Sequence, residues 1–265
     1  MTLCISVALP ELALVASTTR VSHTGPGGEW LGPREDRTGE FVNVRRVGGG
    51  PARSGWCATF GAPVTWSARV FAELEQVNAD DVDQVARTVA GATEWCVDQG
   101  LERRIPPEEQ NPERWPGGVQ LVHPWPWGFV RATVYGQGEI WGREYPIAYS
   151  PPIELRTGGL PQNLRDGFAA AVAGNRTLAA VLRATAQLFH TVYELTDREA
   201  GSIGQLVEVG ILRIEMLPGQ RWQLNLDYVR PTRAAILAGV ADAELAALIR
   251  RVDPLPLVED AHAAR

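Results

Sequence analysis

Met1-Thr2-Leu3-Cys4-Ile5-Ser6-Val7-Ala8-Leu9-Pro10-Glu11-Leu12-Ala13-Leu14-Val15-Ala16-Ser17-Thr18-Thr19-Arg20-Val21-Ser22 is the stretch on which the reading of the chain turns. Two short apolar runs, Leu3–Leu9 and Leu12–Ala16, are broken at Pro10-Glu11. Aliphatic and β-branched runs separated by a turn pair predict a β-hairpin. The hairpin opens with a hydroxyl residue at position 2. With Met1 removed, Thr2 would carry a free α-amine and a β-hydroxyl on one skeleton, a nucleophile with its own general base. The plain alternative is a β-branched residue opening an ordinary strand, and a lone motif does not choose between the two.

The rest of the composition narrows the classes. The chain has 265 residues, enough for one large domain or two small ones with a sizeable core. Its 45% hydrophobic and 21% charged residues are those of an ordinary globular protein. A net charge of −6 without any basic run argues against a nucleic-acid or anionic-membrane partner. No apolar stretch reaches the roughly 18 residues of a membrane span, and no basic segment precedes the first strand as in a signal peptide. All 25 cations are arginine; lysine is absent. Cys4, Cys57 and Cys96 each sit in an apolar stretch and read as buried, reduced thiols of a cytoplasmic protein. His23, His123, His190 and His262 are too scattered for a ligand set, so neither metal nor cofactor is expected.

Outward from the hairpin, Ser22–Glu40 is rich in Gly, Pro and charge and predicts an exposed loop. Phe41–Val47 and Gly55–Phe60 predict strands. Pro63 suits the first turn of a helix carrying Val70, Phe71, Leu74 and Val77. Asn78-Ala79-Asp80-Asp81 restarts a helix with aspartate as cap, followed by Val82, Val85, Val89, Ala92 and Cys96 at helical spacing. Strands are predicted again at Val119–His123, Gly128–Tyr135 and Glu139–Tyr149. The Trp125-Pro126-Trp127 segment between them is either a recognition surface or a turn packed on the sheet. Two helices, Leu160–Ala173 and Thr177–Leu195, precede strands at Leu206–Ile214 and Arg221–Val229. A helical segment begins at Pro231 and includes Leu245, Leu248, Ile249 and Val252. The order predicts two stacked sheets with helices on both outer faces, an α+β four-layer α-β-β-α sandwich. No linker appears, and residues 1–229 with a C-terminal helical extension, 230–265, are read as one domain.

This order, opened by a hairpin whose first residue after Met1 is Thr, is similar to the proteasome β-subunit group of N-terminal nucleophile (Ntn) hydrolases, including the bacterial relatives of the proteasome. Three blocks carry the resemblance: Thr2-Leu3-Cys4-Ile5 with Leu14-Val15-Ala16-Ser17-Thr18-Thr19-Arg20-Val21-Ser22; Cys57-Ala58-Thr59-Phe60-Gly61 leading to Ala72-Glu73-Leu74-Glu75; and Glu194 through Ile211. It extends from Thr2 to about Arg213. In that family the threonine hydroxyl attacks a carbonyl, its amine and a lysine handle the proton, an acid holds the lysine, and a backbone N–H binds the oxyanion.

Carried over, the resemblance matches Thr2 to the nucleophile and Ala58 to the oxyanion turn. The acid position falls on Thr18 and the lysine position on Arg45, with Arg46 beside it. Asp197 and Ser202 match the family's late acidic and serine residues loosely. A guanidinium stays charged, so Arg45 could lower the pKa of the Thr2 amine but could not relay a proton. Thr18 could not pin a cation as a carboxylate would. Losing a general-base step forfeits roughly 10²–10⁴ in rate, and a retained Met1 would acylate the Thr2 nitrogen.

The expectation is therefore a proteasome-like protein with a degenerate threonine-peptidase site. It would act as a structural or partner-binding subunit of a homo-oligomer, a ring or stacked subunits, with a protein partner as a further expectation. The alternative is an active threonine peptidase or amidohydrolase using Thr2. A third reading is an unrelated binding protein working through Trp125-Pro126-Trp127.

Overall fold

The computed structural model describes residues 3–24, 30–35, 43–48, 53–61, 64–98, 117–126, 128–144, 153–156, 161–195, 204–217 and 221–254. The N-terminal runs form β1 (Cys4–Ala8) and β2 (Leu12–Thr18), paired antiparallel with Val7 opposite Leu14. Every residue of both strands is buried, so neither face of this hairpin meets water. β2 takes its second partner from far along the chain, β11 (Leu206–Leu217), which pairs in turn with β12 (Arg221–Arg233). With β10 (Ile153–Arg156) beside β1 and β13 (Ile249–Pro254) beside β12, these make a six-stranded antiparallel sheet.

The second sheet has five antiparallel strands in chain order: β5 (Val44–Val47), β6 (Gly55–Phe60), β7 (Gly118–Trp125), β8 (Gly128–Tyr135) and β9 (Ile140–Glu144). Three hydrophobic clusters define the layers. Leu3, Ile5, Leu14, Ala16 and Ile211 pack with residues of α3 (Gln162–Gly174) and α4 (Leu178–Leu195). Cys57, Leu121 and Ala132 pack with α1 (Val64–Leu74) and α2 (Val82–Asp98). Between them Cys4, Ala13, Val15, Val44, Trp56, Ala58, Val122 and Leu226 fill the space between the sheets. The fold is a four-layer α-β-β-α sandwich, because alternate strand residues face opposite layers.

The helix pairs follow their apolar spacing. On α2 the buried residues include Val82, Val85, Val89, Ala92 and Cys96, and the Asp81 carboxylate accepts from the Gln84 N–H at 2.9 Å, the expected cap. Cys4, Cys57 and Cys96 are buried free thiols. None of the described helices is long and apolar enough to cross a membrane.

Several boundaries differ from the sequence expectation. The expected Ser22–Glu40 loop overlaps a hairpin instead: β3 (Arg20–Thr24) pairs antiparallel with β4 (Trp30–Glu35), Val21 opposite Arg34. Of the expected Glu139–Tyr149 strand, Ile140–Glu144 forms β9, with Gly142 left-handed (φ 60°), and residues 145–149 lie outside the described residues. β10 was not expected at all. β12 continues through Pro231 to Arg233, so the helical segment starts at Ala234, in α5 (Ala234–Gly239). The helix expected through Val252 ends as α6 (Asp242–Leu248), and Ile249-Arg250-Arg251-Val252 pairs with β12 instead. Strand pairing outweighs a weak helical spacing there. Phe41 and Val42 lie outside the described residues.

One packing contact fixes how the sheets meet. The Trp56 indole lies over Gly210, where an added Cβ would come within 2.4 Å of the ring, and its Nε1–H donates to the Ile211 carbonyl at 3.0 Å. Overpacking of a filled core costs about 1–3 kcal/mol. Gly210→Ala is therefore expected to lower unfolding free energy by about that amount in urea titration, with no such loss for Gly167→Ala, where nothing lies within 4 Å.

Candidate functional site

Of the residues that the resemblance singled out, the described structure holds Thr18, Arg45 and Ala58. Thr2, Asp197 and Ser202 lie outside the described residues. Ala58 is fully buried in the inter-sheet core, opposite Val44 on β5 and Gln120 on β7. Thr18 closes β2 and is fully buried; its N–H donates to the Leu3 carbonyl at 3.3 Å and its Oγ1 has no hydrogen-bond partner among the described residues. By strand alternation Thr18 shares the face of Leu14 and Ala16, the side of α3 and α4.

Arg45 lies on the other outer face. It pairs with Cys57, which belongs to the α1/α2 cluster, and its guanidinium lies over the Phe71 ring of α1 at 5.7 Å from the centroid. The side chain is exposed. By strand alternation the Thr18 and Arg45 side chains thus face opposite outer layers, and among the described residues no hydrogen bond joins them, although the Arg45 charge still reaches Glu208. The cation sharing the inner face with Val44 is Arg46, one step along the strand. Its Nε and Nη2 donate to Ser54 Oγ at 3.3 and 3.1 Å, and that hydroxyl donates to the Gly48 carbonyl at 3.3 Å.

The sandwich holds a polar cluster that the motif reading did not include. Glu208 of β11 is fully buried on the inner face. Its Oε1 accepts from the Asn43 N–H and, at 2.9 Å, from the Val44 N–H, both on the opposite sheet's side; its Oε2 accepts from the Tyr228 hydroxyl at 2.6 Å. The Asn43 side chain donates to the Thr18 carbonyl, so the cluster reaches the end of β2. Tyr228 stacks on Trp56 with centroids 5.6 Å apart and planes 18° apart.

Burial pushes the Glu208 carboxyl up to about 7, against the three donors and the Arg45 charge, which favour the anion. The Tyr228 hydroxyl is pushed well up, by burial first and then by Glu208. Burial likewise drives the Cys57 thiol upward, so it remains a protonated core group rather than a nucleophile. His123, fully buried with Nδ1 2.9 Å from the Pro124 carbonyl, is pushed down by burial and stays neutral. Trp125 is 37% exposed, with the Arg143 guanidinium 5.9 Å from its ring. Trp127 lies outside the described residues. No cluster of three or more metal-ligating side chains occurs among the described residues.

Glu208 was legible in one respect. It is the lone charge in Leu206-Val207-Glu208-Val209-Gly210-Ile211-Leu212, and a charge inside an apolar strand demands buried partners. Asn43 and Tyr228 carry no such signal.

No family model matches the chain, and no curated protein matches it. Among solved structures it is similar to Anbu (ancestral beta-subunit) from Yersinia bercovieri, with a TM-score of 0.55 and 11% sequence identity over 79% of this chain and 80% of that one. At that identity the likeness is one of fold.

The Glu208 carboxyl gives the fold a pH dependence of definite sign. Raised from an ordinary 4.5 to about 7, it keeps in the folded chain a proton that the unfolded chain has released between those values. The resulting stability is complete below about pH 4.5 and is lost as pH rises through 7. At about 1.4 kcal/mol per unit, the full loss is on the order of 3 kcal/mol. Glu208→Gln, which can still accept from Asn43 and Val44 and can donate to Tyr228, is expected to flatten that dependence. Denaturation at pH 5 and pH 8 should show the variant gaining on the parent only at the higher pH.

Proposed function

We propose that the chain is a proteasome-like subunit whose threonine-peptidase site is degenerate, so that it works as a structural or partner-binding member of an assembly. The observation that carries this reading is the direction of Arg45. The residue aligned with the family's proton-handling lysine lies against Phe71 on the outer helical layer, not between the sheets. Arginine in place of lysine and threonine in place of the acid point the same way, because neither side chain can release or hold the proton that the relay needs.

Thr2, Ala58, Asp197 and Ser202 are then the remnants of a site whose chemistry has lapsed, with Thr18 and Arg45 as the replaced members. Assembly is the remaining role: copies of the chain pack side by side, in a ring or in stacked subunits. On this reading residues 1–229 and 230–265 form one domain, since β13 extends the sheet that contains the N-terminal hairpin.

Intact-mass analysis should find Met1 retained, and peptide hydrolysis should be indistinguishable between the parent chain and Thr2→Ala. Loss of Met1 together with cleavage abolished by Thr2→Ala would establish the active peptidase instead. Light scattering coupled to size exclusion is expected to give a multiple of the 28.9 kDa protomer mass. Arg45→Ala should cost less than about 1 kcal/mol, as an exposed cation–π contact does.

A further inference from the structure

Gln120 on β7 and Ser6 on β1 are both fully buried, and neither Gln120 Oε1 and Nε2 nor Ser6 Oγ has a hydrogen-bond partner among the described residues. Buried polar groups are almost always paired, with ordered water serving where the protein supplies no partner. Both residues face the space between the sheets. Gln120 stands opposite Ala58, and Ser6 shares its strand face with Cys4 and Ala8; all three neighbours belong to the inter-sheet core.

The strands also agree in level. β1 packs against β7. A Cβ at Gly128 would lie 2.9 Å from the Pro10 carbonyl oxygen, so the β1–β2 and β7–β8 turns meet at one end of the sandwich. Four residues back along β1 from Pro10 is Ser6, and five back along β7 from Trp125 is Gln120. That places the two within about one strand step, roughly 3.3 Å, along aligned strands.

We propose that the space between Ser6 and Gln120, beside Ala58, is a hydration site whose ligand is ordered water bridging the two side chains. The donor set selects water. Gln120 offers two donors and an acceptor, Ser6 one donor and an acceptor, and the group between them must both give and take hydrogen bonds. A cation would face the Gln120 amide hydrogens, and an apolar guest would leave all three atoms unpaired. Thr133, directly across from Gln120 on β8, adds a hydroxyl that accepts from Arg131 Nη1 at 3.4 Å and keeps its own hydrogen to donate. The site stands apart from the proposed function, since structural water would occupy it in an active or a lapsed enzyme alike.

Water–protein cross-relaxation by NMR on the full-length chain tests it. The Gln120 side-chain amide hydrogens should show cross-peaks to long-lived water, and Ser6→Ala should weaken them by removing one of the water's partners. Absence of the cross-peaks in the parent chain overturns the proposal. So do cross-peaks of undiminished intensity in Ser6→Ala, which would mean water that Ser6 does not hold. If Ser6→Ala does not fold, Ser6→Cys replaces it with a weaker partner and the same expected weakening.

Discussion

The carboxyl of Glu208 ties one sheet to the other. It projects from β11 of the six-stranded sheet and receives the backbone N–H groups of Asn43 and Val44, where the five-stranded sheet begins. A carboxyl taken out of water is costly unless its oxygens are filled, and here three donors fill them. Trp56 makes the complementary tie: its indole fits over Gly210 and its N–H reaches the Ile211 carbonyl. Both ties converge on β11, with Tyr228 stacked on Trp56 and bonded to Glu208. The relative placement of the sheets is therefore specified by polar and aromatic contacts in a space otherwise filled by aliphatic packing.

That placement has a chemical consequence through strand alternation. On β5, Val44 and Arg46 face the sandwich while Arg45 and Val47 face α1 and α2. One residue of register decides whether a cation can approach the end of the N-terminal hairpin. Here Arg45 falls on the outer face against Phe71, and the inner cation, Arg46, donates to Ser54 Oγ.

The parts of the fold legible in the sequence were those with strong local signals. The turn pair Pro10-Glu11 marked the first hairpin, and Val82, Val85, Val89 and Ala92 behind Asp81 marked α2. The illegible parts depended on partners distant in the chain. Ile153–Arg156 becomes a strand because β1 offers an edge, and Ile249–Val252 because β12 does. Ile153-Glu154-Leu155-Arg156 alternates apolar and polar but is only four residues long, and Ile249-Arg250-Arg251-Val252 does not alternate, so neither is decided by local pattern alone. The candidate site divides the same way. Thr18, Arg45 and Ala58 could be located along the chain, but their faces follow from sheet register, which local sequence does not encode. Glu208 advertised itself as a charge in an apolar run, while its partners, two backbone N–H groups and a tyrosine, became visible only with both sheets in place.

The pairing of β2 with β11 also sets the order in which the molecule can be built. The N-terminal hairpin is buried on both faces, and its neighbour in the sheet begins only at Leu206. During synthesis at about 5–20 residues per second, the hairpin waits on the order of ten seconds or longer before β11 emerges to cover it. Through that interval Leu3–Thr18 is an uncovered apolar ribbon with an open hydrogen-bonding edge, the kind of segment that pairs with other chains. The same long-range closure raises contact order and slows folding. The stretch that organises the finished sandwich is thus also the one that most needs shielding while the chain is being made.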